Sequence, residues 1–136
     1  MVAPGKVILL IEDEPSIQSL IATALRDEGF VVMTAGLGQE AMHWATQVRP
    51  HLVLLDLMLP DMEAQDLGAR LRFRYGPTVP VIIVSAAGPQ IIGQVADELG
   101  AFETLAKPFE LEVLLAAVNR GLAEEERRSR EQDADS

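Results

Sequence analysis

The chain has 136 residues with 11 basic against 21 acidic side chains, a formal net charge of -10. That length fits one domain with its own core, and the acidic balance leaves no basic stripe for unaided binding to nucleic acid or anionic lipid. With no cysteine and two histidines, disulfides, iron-sulfur clusters, thiolate zinc and histidine metal sites are excluded.

Residues 1–6 lack the charged-then-apolar plan of a signal peptide, and no apolar run approaches the roughly 20 residues of a membrane span, so a cytoplasmic protein is expected. Val7 to Ile11 is an apolar run rich in β-branched side chains, broken by Glu12-Asp13-Glu14-Pro15-Ser16. It reads as a strand buried on both faces, then a turn, then a helix whose first turn tolerates Pro15. Ile17, Leu20, Ile21, Ala24 and Leu25 follow at helical spacing, with Gly29 placed to cap. Phe30 to Ala35 is a second strand, expected at a sheet edge. Gly36-Leu37-Gly38 reads as a turn, because it lacks the lysine and hydroxyl of a phosphate-binding loop.

Gln39 to Val48 patterns as a helix with Ala41, Trp44, Ala45 and Val48 on its apolar stripe, ended by Arg49-Pro50. Leu52 to Leu55 is the third strand, closed by Asp56. A helix is expected from about Glu63 to Arg74, stopped by Tyr75-Gly76-Pro77. Val79 to Val84 forms the fourth strand, and Ile91, Ile92, Val95, Ala96 and Leu99 mark a helix capped by Gly100. Phe102 to Ala106 is the fifth strand, and Leu111, Leu114, Leu115, Val118 and Leu122 line a last amphipathic helix. From Ala123 the chain is almost wholly polar. Glu124 with Arg128 and Glu126 with Arg130, each four apart, extend that helix by a turn or two, with disorder expected beyond about Arg130.

Five alternations of strand and helix make an α/β fold with one parallel sheet and helices on both faces. The polar residues that interrupt the apolar runs share one kind of position: Glu12 and Asp13 after the first strand, Asp56 after the third, Ser85 after the fourth, Lys107 after the fifth. These are carboxyl ends, the edge on which open α/β sheets bind ligands. A lone carboxylate such as Asp56 is costly to bury without partners. If the first and third strands are neighbours, three carboxylates converge and repel, which a divalent ion resolves; two or three carboxylates with open positions suit Mg2+ better than Ca2+. A carboxylate nucleophile, Mg2+, a lysine and a hydroxyl together meet the needs of phosphoryl acceptance.

Glu12-Asp13, Asp56 in Asp-Leu-Met-Leu-Pro-Asp-Met, Ser85-Ala86 and Lys107-Pro108-Phe109 resemble the motifs of the CheY-like receiver domain of two-component response regulators. The resemblance spans about residues 5 to 122. It implies a flavodoxin-like (βα)5 doubly wound sheet of order 2-1-3-4-5, a receiver over residues 1–122 and a charged extension over 123–136. It further implies that Asp56 accepts a phosphoryl group from a sensor histidine kinase or histidine phosphotransfer protein. Mg2+ would be held by Glu12, Asp13, Asp56 and the Met58 backbone carbonyl. Lys107 and Ser85 would meet the phosphoryl oxygens, and Lys107-Pro108 would be cis.

Three departures from the family pattern stand out, the third covering two positions. Thr104 stands where an aromatic usually works with the hydroxyl residue as the switch, leaving Ser85 and Thr104 as the switch pair. Ala64 replaces a usual glycine. Met58 and Ala87 are apolar where polar residues can orient a hydrolytic water, so a long-lived phosphoaspartate is expected. The expectation is therefore a phosphorylation switch, not a turnover enzyme, acting on an unnamed downstream protein as a monomer or weak dimer. Its rivals are the receiver part of a larger DNA-binding regulator, a binding module without phosphorylation, and a Mg2+-dependent small-molecule phosphatase. The last lacks a visible second general acid, since Met58 offers none.

Overall fold

The strands that the apolar runs encode assemble in an order different from their order in the chain. In the computed structural model, which describes residues 5–134, β1 (Val7–Ile11), β2 (Val31–Ala35), β3 (Leu52–Leu55), β4 (Val81–Ser85) and β5 (Glu103–Ala106) form one sheet of order β2-β1-β3-β4-β5. All four pairings are parallel, and β1 lies directly between β2 and β3. The helices α1 (Pro15–Asp27), α2 (Gly38–Gln47), α3 (Ala64–Tyr75), α4 (Pro89–Leu99) and α5 (Leu111–Ala134) complete the flavodoxin-like fold. Residues 1–4, part of the segment read for a signal peptide, and 135–136 lie outside the described residues. Among the described residues no helix is long and apolar enough to cross a membrane.

Alternate strand residues feed two cores, which is why the runs are apolar throughout rather than alternating. Ile8, Leu10, Leu52, Leu54, Ile82 and Val84 pack beneath α1 and α5. Leu9, Ile11, Val53, Leu55 and Val81 pack with Leu67 and Leu71 of α3 and Ala41 and Ala45 of α2, while Ile83 meets Ile92 and Val95 of α4. Gly100 ends α4 in the left-handed conformation, as its φ of 63° requires. Two expected core positions fall elsewhere. Val48 is an exposed, extended residue just past α2, held out of the helix by the approach to Pro50, and Trp44 is only half-buried, its Nε1 donating to the Thr34 carbonyl at 2.9 Å.

The expectation of disorder beyond Arg130 is corrected: α5 is helical to Ala134. Its polar turns lie against the amino-terminal edge of the sheet. Lys6, entering β1, stands 3.5 Å from both Glu125 and Glu126, and Glu125 is buried. Arg128 donates to the Pro77 carbonyl at 3.2 Å, and the Thr78 hydroxyl donates to Gln132 at 2.6 Å. The Glu124-Arg128 pair forms at 2.8 Å, whereas Glu126 turns to Lys6. Contacts to distant residues thus add to the pairs along the helix, Arg127 with Glu124 and Glu131 and Arg128 with Glu124, in this segment.

Tyr75 closes α3 with its ring in the core and its hydroxyl buried without a partner. Burial pushes the phenol up to about 12 from its ordinary 10.0. A folded-state value above the unfolded one means that Tyr75's contribution is complete below pH 10.0 and is lost as the pH climbs to about 12. Tyr75 is the only tyrosine, so phenolate absorbance follows it directly and should appear near pH 12, not pH 10. Tyr75→Phe removes an unsatisfied group and is expected to leave neutral-pH stability unchanged or raise it by up to about 1 kcal/mol in urea unfolding. A clear loss would show that the hydroxyl has a partner in solution.

Candidate functional site

Backbone hydrogen bonds carry the sheet one residue beyond its strands and set the polar side chains side by side. The Glu12 N–H donates to the Ala35 carbonyl at 2.9 Å, the Asp56 N–H to the Ile11 carbonyl at 3.0 Å, and the Lys107 N–H to the Ser85 carbonyl at 2.8 Å. Glu12 and Asp56 are thereby buried, at 1% and 4% exposure. Asp13 remains exposed, and carboxylate oxygens of Glu12, Asp13 and Asp56 all come within 4.8 Å of one another. The expected convergence of the three acids follows from the β1-β3 pairing.

Lys107 bridges the two buried acids. Its Nζ lies 2.5 Å from Glu12 Oε1 and 3.2 Å from Asp56 Oδ2. The other oxygens take backbone donors, Asp56 Oδ1 from the Met58 N–H at 3.1 Å and Glu12 Oε2 from the Glu14 N–H at 3.1 Å. Burial raises the Glu12 carboxyl above its ordinary range; the bonds from Lys107 and the Glu14 N–H oppose that, and the Asp56 charge reinforces it. Burial alone would lower the Lys107 ammonium, yet its bonds to Glu12 and Asp56 and their charges outweigh this and raise it. One ammonium facing three carboxylates leaves negative charge over. An all-oxygen set, two members buried and one open to solvent, fits a hard divalent cation such as Mg2+ that keeps waters.

Ser85 is fully buried at the end of β4, its Oγ accepting the Ala87 N–H at 3.1 Å. Thr104 is exposed on β5 opposite Ile83 and takes no part in the acid cluster. The Lys107-Pro108 peptide is cis. Ala64 is the buried first residue of α3, and no non-glycine residue has positive φ among the described residues, so the loop closes without the family glycine. His43 is exposed, and His51 belongs to a strand edge, its Nδ1 accepting the Val7 N–H at 3.0 Å.

Two supporting residues were not anticipated. Gln18 Nε2, from the first turn of α1, donates to the Glu12 carbonyl at 2.9 Å. Asp61, from the loop after β3, accepts the Gly38 N–H at 2.7 Å and the Gln39 N–H at 3.1 Å. A usable signal existed for Asp61: α2 starts after Leu37, which supplies no capping side chain.

The family model of the response regulator receiver domain matches residues 8–119, which include every residue of this cluster. The chain belongs to the response regulator receiver family. A curated relative, the DNA-binding transcriptional regulator NtrC of Bradyrhizobium, is 34% identical over 92% of this receiver and 26% of its own length. The CheY-like receiver domain protein of Methanospirillum hungatei superposes with a TM-score of 0.84 at 26% identity, covering 90% of this chain and 98% of that one. The response regulator TrrA of Thermotoga maritima, solved with Mg2+ and BeF, gives a TM-score of 0.74 at 26% identity, covering 85% and 97%. The receiver spans between about a quarter and about half of the length of the curated relatives it matches.

Replacing the bridging cation tests the charge balance. In Lys107→Met the buried Glu12 and Asp56 carboxylates lose their common partner, and stability should fall by about 3 kcal/mol at neutral pH. Adding Asp56→Asn should restore part of that loss by removing one of the repelling charges. Urea midpoints of the two variants report both effects; a single variant as stable as wild type would show that Lys107 does not compensate the acids.

Proposed function

We propose that this receiver accepts a phosphoryl group on Asp56 from the phosphohistidine of a sensor histidine kinase or histidine phosphotransfer protein, and that the modified domain switches its binding to a downstream protein. The observation that carries this reading is the buried Asp56 carboxylate with one oxygen on the Met58 N–H and the other on Lys107, beside Glu12 and Asp13. An Asp56 oxygen attacks phosphorus, a phosphorus-oxygen bond forms as the phosphorus-nitrogen bond breaks, and the imidazole leaves with the electron pair. Glu12, Asp13, Asp56 and the Met58 carbonyl would hold Mg2+, which when bound supplies positive charge to the phosphoryl oxygens. Lys107, already beside Asp56, would pair with the transferred group, and the Ser85 hydroxyl would leave the Ala87 N–H to donate to it. Ser85 and Thr104 form the switch pair, the latter without an aromatic ring to bury.

The matched relatives are longer regulators, several of them named as DNA-binding. A second reading is therefore that this domain is the receiver part of such a protein. DNA contact would then belong to the remainder and not to a domain of net charge -10. By itself the domain is read as a monomer or weak dimer. Glu103 and Arg120, on β5 and α5, pair with each other through two bonds of 2.6 and 2.8 Å within one chain, leaving that pair less available to a second copy.

Incubation with phosphoramidate and Mg2+ should add the mass of one phosphoryl group, and Asp56→Asn or removal of Mg2+ by a chelator should abolish the gain. Lys107→Met should slow it by about 100-fold or more, the cost of losing a charge aimed at the phosphoryl oxygens. No gain from any donor would favour a binding module, and steady turnover of a phosphate ester would favour a phosphatase.

The lifetime of the product is a separate prediction. Met58 is 60% exposed and Ala87 half-buried, and neither side chain can orient a water toward phosphorus. The phosphorylated domain should persist for minutes or longer in Mg2+ buffer without a partner, and decay within seconds would contradict this account.

A further inference from the structure

The loop from Asp56 to Glu63 is held at both ends. At its start the Met58 N–H donates to Asp56 Oδ1, which fixes the peptide beside the acid cluster. At its far end Asp61 leaves the site altogether and reaches α2, where its two carboxylate oxygens take the Gly38 and Gln39 N–H groups at 2.7 and 3.1 Å. These are free donors at the positive end of the α2 dipole, and they hold the Asp61 carboxyl below its ordinary range. The packing is equally close. A Cβ on Gly38 would stand 2.9 Å from Met62 Cβ and 3.1 Å from its sulfur, so only glycine lets α2 approach the loop this far. Leu37 supplies no cap of its own, which makes Asp61 the side chain that satisfies the start of α2.

We propose that Asp61 is a positioning residue of the receiver: its carboxylate clamps the β3–α3 loop, and with it the Met58 peptide beside Asp56, to the amino end of α2, so that loading of the acid cluster is felt at α2. This rests on the reading that the cluster binds Mg2+ and a phosphoryl group. Without the clamp the far end of the loop keeps only the apolar packing of Leu59 and Met62, and the Met58 peptide is held less firmly. α2 also carries Trp44, the only tryptophan in the chain, tied by its Nε1 to the Thr34 carbonyl on β2. Its emission is a built-in reporter of movement at α2.

Mg2+ titration by calorimetry, with Trp44 fluorescence recorded in Mg2+ and in Mg2+ with beryllium fluoride, tests the clamp. Wild type should change its Trp44 emission on loading. Asp61→Ala should bind Mg2+ about tenfold more weakly, the loss expected when a group that orients a ligand is removed, and should lose most of the Trp44 response. Asp61→Asn, which keeps one acceptor oxygen, should fall between. Gly38→Ala disturbs the same contact from the α2 side without touching a charge and should act in the same direction, which also covers an Asp61→Ala protein that fails to fold. Glu63→Ala removes a carboxylate from the same loop, one that caps no helix N–H, and should leave both readouts unchanged.

Mg2+ affinity of Asp61→Ala within twofold of wild type, an unresponsive Trp44 in wild type, or an equal loss in Glu63→Ala would each overturn the clamp while leaving phosphorylation of Asp56 intact. A wild-type protein that binds no Mg2+ and gains no phosphoryl group would instead overturn the reading on which the clamp rests, and the clamp with it.

Discussion

Three carboxylates held within 4.8 Å of one another, two of them buried, are the constraint that the rest of this domain serves. Left alone they would repel one another. Lys107 offsets part of that repulsion by bridging Glu12 and Asp56, and backbone N–H groups of Met58 and Glu14 satisfy the remaining oxygens of those two acids. The balance stays negative, which makes the site receptive to a cation and to the positive charge that phosphoryl chemistry recruits. The domain thus stores an electrostatic cost at its working edge and meets it with two apolar cores.

The sheet makes that arrangement possible because its order differs from chain order. β1 lies between β2 and β3, so acids separated by more than forty residues in the chain end up adjacent. Glu12, Asp56 and Lys107 are each aimed by a ladder bond one residue past their strands, which fixes direction as well as place. Rigid strand ends, rather than loops, therefore carry Glu12, Asp56 and Lys107, the stiffness that the proposed role of Asp56 as nucleophile needs.

Much of this was legible in the residues. Apolar runs with a polar terminus specify buried strands and the edge where chemistry gathers, because a strand buried on both faces admits no other pattern. The strand order and the cis Lys107-Pro108 peptide were implied by resemblance rather than by periodicity. What stayed hidden depends on partners far apart in sequence. Asp61 binds backbone N–H groups of α2, for which the uncapped Leu37 asks without naming a partner far along the chain, and Gln18 binds a carbonyl. The polar turns of α5 looked like a solvated end because their partners, Lys6, Pro77 and Thr78, lie elsewhere in the chain. Val48 was misplaced because helical spacing continued past the point where the chain turns extended before Pro50.

The docked end of α5 has a consequence for how the domain is completed. It fastens Lys6, just before β1, to residues late in α5, so the amino-terminal edge of the sheet is closed by the element that comes after all five strands in sequence order. The earlier strands can pair as they are made, but the contacts of Lys6 wait for Glu125 and Glu126. Such long-range closure raises contact order and favours a late, cooperative final step over a domain that matures gradually.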